Sequence, residues 1–200
     1  QQVKLAMLIR FIVKNLFSFK EYTEFNLLPG RTTRMPHHLY EVAGTPVLKL
    51  NAMYGANGAG KSNLIKALGL LRDFVVDGEL PTEFLTETFR FDPEGSKQDI
   101  YLGVEFYVAE IPFYYGITIN QGIVIEEELQ FSGLGKKEDI TLFKRTDSSA
   151  AKKLAVIFHK SVMDDKEASL FPSFLQNELL ERNKLVLHYL KNRQNLVFEP

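Results

Sequence analysis

Gly55-Ala56-Asn57-Gly58-Ala59-Gly60-Lys61-Ser62 is the stretch from which the rest of this 200-residue chain is read. Its spacing, G-x-x-x-x-G-K-[ST], belongs to a loop whose glycines let the backbone wrap closely around an anion. Successive N–H groups of such a loop form a concave nest, and a helix starting at its end adds the positive pole of its dipole. Such a nest fits the phosphates of a nucleotide. Gly55, Ala56, Asn57, Gly58, Ala59, Gly60, Lys61, Ser62 and the adjoining Asn63 are the expected contacts. Lys61 is expected to reach the β- and γ-phosphates and to serve as the catalytic cation, and the Ser62 hydroxyl is expected to ligate Mg²⁺.

The motif needs a strand before it and a helix after it. Leu64, Leu68, Leu71 and Val75, with Ala67 and Phe74 beside them, carry helical spacing, and Gly78 and Pro81 supply stop signals. Ahead of the motif, Val47 to Tyr54 reads as the strand that leads into it, preceded by a basic, Pro-containing loop over residues 31–46. Farther out, Leu8–Val13 and Phe25–Leu28 read as a strand pair. Ile100, Leu102, Val104, Phe106 and Val108 alternate along another strand. Phe113–Asn120, Ile123–Phe131 and Ile140–Arg145 continue an antiparallel meander, because the links are too short for crossover helices. From Ala150 onward the pattern becomes helical, notably over Phe174–Leu190. The expected fold is α/β: a P-loop core with a mixed sheet and an antiparallel β-meander, followed by helices.

Composition sets outer limits. A net charge of -1 excludes a polycationic tail or histone-like chain, and zero cysteines exclude disulfide scaffolds, thiolate zinc sites and cysteine nucleophiles. The absence of cysteine fits a reducing compartment, and a cytoplasmic location is expected. No run approaches the roughly 18–20 apolar residues of a membrane span, so no membrane partner is expected. Met7 reads as a native start, with Gln1 to Ala6 placed ahead of it.

A GTPase would add D-x-x-G and N-K-x-D. Asp92-Pro93-Glu94-Gly95 fits the first by letter, but behind a poor strand, and Asn183-Lys184-Leu185-Val186 lacks the final Asp. GTP is therefore the minor alternative and ATP the expected nucleotide. With Asn57 in place, Gly55 to Leu64 resembles the G-x-N-G-x-G-K-S-N-L form of ABC ATPases of the RecF/SMC group. Val13-Lys14-Asn15-Leu16-Phe17-Ser18-Phe19-Lys20 resembles that group's first strand and turn, with Leu16 and Phe17 in swapped order. The meander carrying Tyr114-Tyr115-Gly116 and Ile125-Glu126-Glu127-Glu128-Leu129 is similar to the N-terminal lobe of the bacterial branch known as AAA-family ATPases. That branch includes anti-phage defence ATPases and relatives of the OLD-family nucleases.

The resemblance implies more than these residues hold. The group has a Ser-Gly-Gly-type signature and a Walker B strand ending in Asp-Glu, and neither is present. Phe74-Val75-Val76-Asp77 and Ile123-Val124-Ile125-Glu126 imitate Walker B, but one ends a helix and the other belongs to a hairpin. Residues 1–149 are thus expected to be an ATP-binding N-terminal lobe, and 150–200 the start of a helical insertion, with the second lobe outside this chain. Such a segment is expected to bind ATP weakly and to hydrolyse it poorly. The resemblance also implies a homodimer or higher homo-oligomer when full length, a nuclease-type effector protein as partner, and DNA contact through regions outside this chain.

Other features read as structural. His37-His38 lacks the further ligands of a metal site and, with Arg31 and Arg34, is expected in a solvated loop, although either arginine is a candidate phosphate or base contact. Glu126 and Glu128 share one strand face and Glu127 the other, so the three cannot converge, and a solvated face is expected. Gln98, Gln121 and Gln130 are candidates for a γ-phosphate sensor that spacing does not separate. The phenylalanines and tyrosines are expected as core and cross-strand pairs. The helical region around Leu175, Leu179 and Leu180 either packs on the lobe or presents an apolar face to an absent partner.

Overall fold

Period-two patterning dominates the molecule. The computed structural model describes residues 6–30, 35–148, 153–159, 172–173, 175–176 and 180–190. Among these, β1 (Ala6–Lys14), β2 (Thr23–Asn26), β5 (Ile100–Val108), β6 (Ile111–Asn120), β7 (Ile123–Phe131), β8 (Ile140–Ser148) and β9 (Lys153–Phe158) form one sheet. Its order is β2-β1-β5-β6-β7-β8-β9, and every neighbouring pair is antiparallel. A separate hairpin pairs β3 (Leu39–Val42) with β4 (Thr45–Leu48). Among the described residues the named α-helices are α1 (Lys61–Asp77), the short α2 (Glu83–Thr86) and α3 (Val186–Leu190).

The meander follows from its turns. Gln121 and Gly122, at φ 47° and 78°, make the left-handed two-residue link that matches strand twist. Phe106 faces Phe113 and Phe113 faces Phe131 across the ladders, giving an aromatic row with centroids 5.6 and 5.3 Å apart. β1 pairs with β5 rather than with a sequence neighbour on that side. Everything between β2 and β5, glycine motif included, is therefore one long excursion from the sheet. In that excursion α1 buries Leu64, Ala67, Leu71 and Phe74 in a core shared with Phe11, Val13, Leu102 and Ile117. On a second, smaller core, Val42 and Val47 of the hairpin pack with Ile9 and Tyr107.

The α/β class and the antiparallel meander are as expected, but the expected mixed sheet is not found: among the described residues every strand pairing is antiparallel, because the chain ahead of the glycine motif joins no ladder beyond Leu48. Three local expectations change as well. The loop expected over 31–46 contains β3 and the start of β4, joined at Ala43-Gly44 with both residues at positive φ. The strand expected over Val47–Tyr54 stops at Leu48, and residues 49–54 run outside both sheets. Past Ala150, Lys153–Phe158 is strand, because it finds β8 as a ladder partner. Of the helix expected over Phe174–Leu190, Val186–Leu190 is α3, and Phe174, Asn177, Glu178 and Leu179 lie outside the described residues, as does Gln1–Leu5 of the segment ahead of Met7.

Asn15 fastens the excursion to the sheet. It is buried at φ 52°, and its amide donates to the carbonyls of Gly95 (2.7 Å) and Gln98 (3.0 Å) while accepting from the Phe89 N–H (3.3 Å). Asn15→Ala would orphan three backbone groups, one of them at buried Gly95. A stability loss of about 2 kcal/mol is expected, read from the urea midpoint.

A buried charge network holds the segment around α3. Glu127 is fully buried and accepts from the Tyr115 hydroxyl (3.0 Å) and from the N–H groups of Val186 (2.7 Å) and Leu187 (2.9 Å). Arg145, its cross-strand partner and equally buried, donates to the carbonyls of Lys184 and of Arg182, the latter at 2.9 Å. Asp147 pairs with Arg182 through both carboxylate oxygens (2.7 and 2.6 Å). The solvated face expected for the three glutamates holds for Glu126; Glu128, which shares Lys144 with it, is largely buried, and Glu127 wholly so. Leu175, Leu180, Leu185 and Leu190 are buried in the main core, so this region packs on the lobe.

Candidate functional site

The glycine motif bridges the exposed chain after β4 and the start of α1. Ala59 N–H closes a turn on Ala56 O (3.2 Å). Gly58 and Gly60 take φ of 85° and 88°, the left-handed region that side-chain-bearing residues avoid. Gly60 caps α1 with no side-chain cap bond, and the first turn holds no acidic residue. A 17-residue helix thus presents uncapped N–H groups at its positive end.

Lys61 sits on the first turn of that helix and folds back over the loop. Its ammonium donates to Gly55 O (2.6 Å) and Ala56 O (2.9 Å). An ammonium has three protons, so one donor remains for an incoming oxygen. Ser62 is exposed, and its hydroxyl has no hydrogen-bond partner among the described residues. Ala56, Asn57 and Ala59 are exposed along the same loop. The uncapped helix start and the Lys61 cation thus stand together at the loop, an arrangement that suits a polyphosphate with its metal.

Asn63 points elsewhere. Its side-chain amide donates to Ser18 Oγ (3.1 Å), on the turn between β1 and β2. The resemblance to the RecF/SMC group singled out that turn for adenine-side contacts, and the structure sets it against the helix start. Beside this pair a cleft of about 810 Å³ runs along α1, lined by Phe17, Ser18, Asn63, Lys66, Glu87 and Phe91.

The other candidates separate from the loop. Asp92 accepts from the Glu94 N–H, pairs with Lys20 (3.2 Å) and accepts from Gln98 (3.2 Å). That backbone bond, then Lys20, holds its carboxyl below the usual range. Its D-x-x-G letters therefore describe a turn tied to Lys20 and Asn15. Gln130 donates to Glu128, and Gln121 occupies the β6–β7 turn. The His37 and His38 rings lie 4.3 Å apart, tilted by 44°, in an exposed 3-10 turn, while Arg31 and Arg34 lie outside the described residues. Both Walker B look-alikes fall where expected, on the end of α1 and on hairpin strand β7. Among the described residues no group of three or more His, Asp or Glu is placed to hold a metal on its own, and no helix is long and apolar enough to cross a membrane.

A glycine-built nest on the N-terminus of a long helix, backed by an antiparallel sheet, defines a P-loop ATPase domain. The chain belongs to the family described as "AAA domain, putative AbiEii toxin, Type IV TA system", whose model matches residues 50–198, more than half of its length. Domains of this family use a nucleotide, usually with Mg²⁺. No curated protein matches the sequence significantly.

Proposed function

We propose that this chain binds Mg·ATP at Gly55–Ser62 as the N-terminal lobe of an ABC-type ATPase. The carrying observation is the uncapped start of α1, with Gly58 and Gly60 at positive φ and Lys61 folded over the loop. The loop N–H groups and Lys61 would hold the phosphates, and Ser62 would hold the Mg²⁺. When bound, the metal supplies charge neutralisation on the phosphate oxygens.

Hydrolysis belongs, in this reading, to a larger assembly. A second lobe with the signature and Walker B acid, and a second copy of the protein, would complete the site and turn ATP into a conformational or assembly switch. Supporting this, Leu50, Met53 and Tyr54 run exposed and outside the sheets ahead of the loop, with Tyr54 92% accessible. An apolar run of strand composition in that state suits added strands alongside it. The division into a lobe over 1–149 and a following segment over 150–200 is part of the same proposal. So are the RecF/SMC and OLD-nuclease kinship, DNA contact outside this chain, a nuclease-type effector and a cytoplasmic location. A role in DNA maintenance or anti-phage defence is the biological setting; the family description, with its toxin of a type IV TA system, supports the defence side.

One observation favours a second reading, a nucleotide-responsive scaffold with little turnover. Among the described residues no carboxylate pairs with Lys61 and none lies in the first turn of α1, so no acid stands ready to orient water. Calorimetric titration of this chain with ATP, ADP and GTP, with and without Mg²⁺, tests the binding step. ATP should bind, more weakly once EDTA removes the metal, and GTP should bind less well. Absence of ATP binding, or preference for GTP, overturns the proposal. Turnover by the full-length protein separates switch from scaffold.

A further inference from the structure

The turn between β1 and β2 is built to be rigid. Leu16 N–H donates to Phe19 O (3.2 Å) and Phe19 N–H to Leu16 O (3.0 Å), which leaves Phe17 and Ser18 at the tip. Phe17 is held at φ 55°, and its N–H donates to Glu87 O (2.7 Å). One residue before the turn, Asn15 is locked into the 89–98 loop by its three hydrogen bonds. The tip is thus a fixed extension of the sheet.

This tip rests on the start of α1. Ser18 Oγ accepts from the Asn63 amide at 3.1 Å, across 45 residues of sequence. A Cβ on Gly60 would stand 2.9 Å from Ser18 Oγ and 3.6 Å from the Phe19 ring, so turn and glycine are in direct contact. Among the described residues little holds the loop leading to Gly60. Residues 50–59 are exposed, and their ties to other described residues are the Ala59–Ala56 turn, the two Lys61 bonds and Asn51 to Asn26 O. A phosphate competes for the Lys61 ammonium but not for the Asn63–Ser18 bond, which lies beside the nest.

We infer that Ser18 and Asn63 form a clip through which the antiparallel sheet positions the phosphate loop, so that Asn63 acts on a nucleotide through the loop rather than by touching it. This rests on the nucleotide reading above. Binding to a nest is tight only where the N–H groups are already converged, because ordering them on binding is subtracted from the affinity. The clip bears on that ordering at Gly60, where the left-handed backbone begins the helix. Both side chains are positioning residues.

The test uses Ser18→Ala, Asn63→Ala and the double variant, with two readouts. ATP affinity by calorimetry should fall about three- to tenfold in each single variant, the scale of one neutral hydrogen bond. The double variant should lose no more than a single one, since both remove the same bond. Amide hydrogen exchange in the nucleotide-free protein should accelerate over Ala59–Asn63 in all three. Additive losses, or an Asn63→Ala loss without a Ser18→Ala loss, would mean that Asn63 meets the nucleotide directly and would overturn the clip. Unchanged exchange overturns it as well. If the unaltered chain fails to bind ATP, the nucleotide reading falls alone, because exchange still decides the clip.

Discussion

Lys61→Ala is expected to lower ATP affinity by about a hundredfold or more while the fold stays intact. The ammonium offers an incoming phosphate a charge-assisted donor, and such bonds contribute about 1.5–3 kcal/mol each. That one bond lost, together with the point charge beside the loop, accounts for the size of the effect. The fold should tolerate the change because the side chain reaches only the carbonyls of Gly55 and Ala56, both exposed to water. Lys61→Arg should rescue little, since a planar guanidinium cannot sit as a compact cation on those two carbonyls. Titration calorimetry together with a thermal melt checks both halves. Unchanged affinity in a folded Lys61→Ala protein would move the phosphate away from this loop.

Glu127→Ala is expected to have the largest effect on stability, a loss of about 3–5 kcal/mol, because it breaks a buried charge arrangement on one side only. The N–H groups of Val186 and Leu187 and the Tyr115 hydroxyl lose their acceptor, and Arg145 stays buried beside a neutral neighbour. Arg145→Ala should cost a comparable amount, and the double variant less than the sum. Urea unfolding reads all three; a loss under about 1 kcal/mol for Glu127→Ala would show that the α3 segment is held by its apolar contacts instead.

The same residue sets a pH signature. Burial pushes the Glu127 carboxyl above its ordinary range, against the pull of the Leu187 and Val186 N–H groups, the Arg145 charge and the Tyr115 hydroxyl. A raised pKa in the folded state means that the folded protein holds this proton at a pH where the unfolded chain has released it. Stability then falls as pH rises from the ordinary carboxylate value to the raised one, and this contribution is flat on either side. Glu127→Gln should remove that slope from a pH series of urea midpoints.

How legible these features were follows from their range along the chain. The helix showed in the spacing of Leu64, Leu71 and Phe74 because one apolar face repeats locally. The meander showed at Gln121-Gly122 because a two-residue turn is a local conformational choice. Ala43-Gly44, flanked by Val42 and Val47, was a hairpin signal of the same kind, masked by the prolines and histidines around it. Val47 to Tyr54 has the composition of a strand, but a strand needs neighbours. Beyond Leu48 none of the described segments supplies a ladder. Glu127 looked like part of a charged surface because its partners, Val186 and Leu187, arrive from 59 and 60 residues away.

Read alone, the sequence determined the glycine loop. Its positive glycine φ values and the lysine folded over it all lie within one eight-residue run, where covalent geometry and local sterics suffice. Tertiary structure decided what that loop is fastened to. The bond between Asn63 and Ser18, pairing of β1 with β5 and the burial of Glu127 each join segments far apart in sequence, and no local preference encodes such meetings.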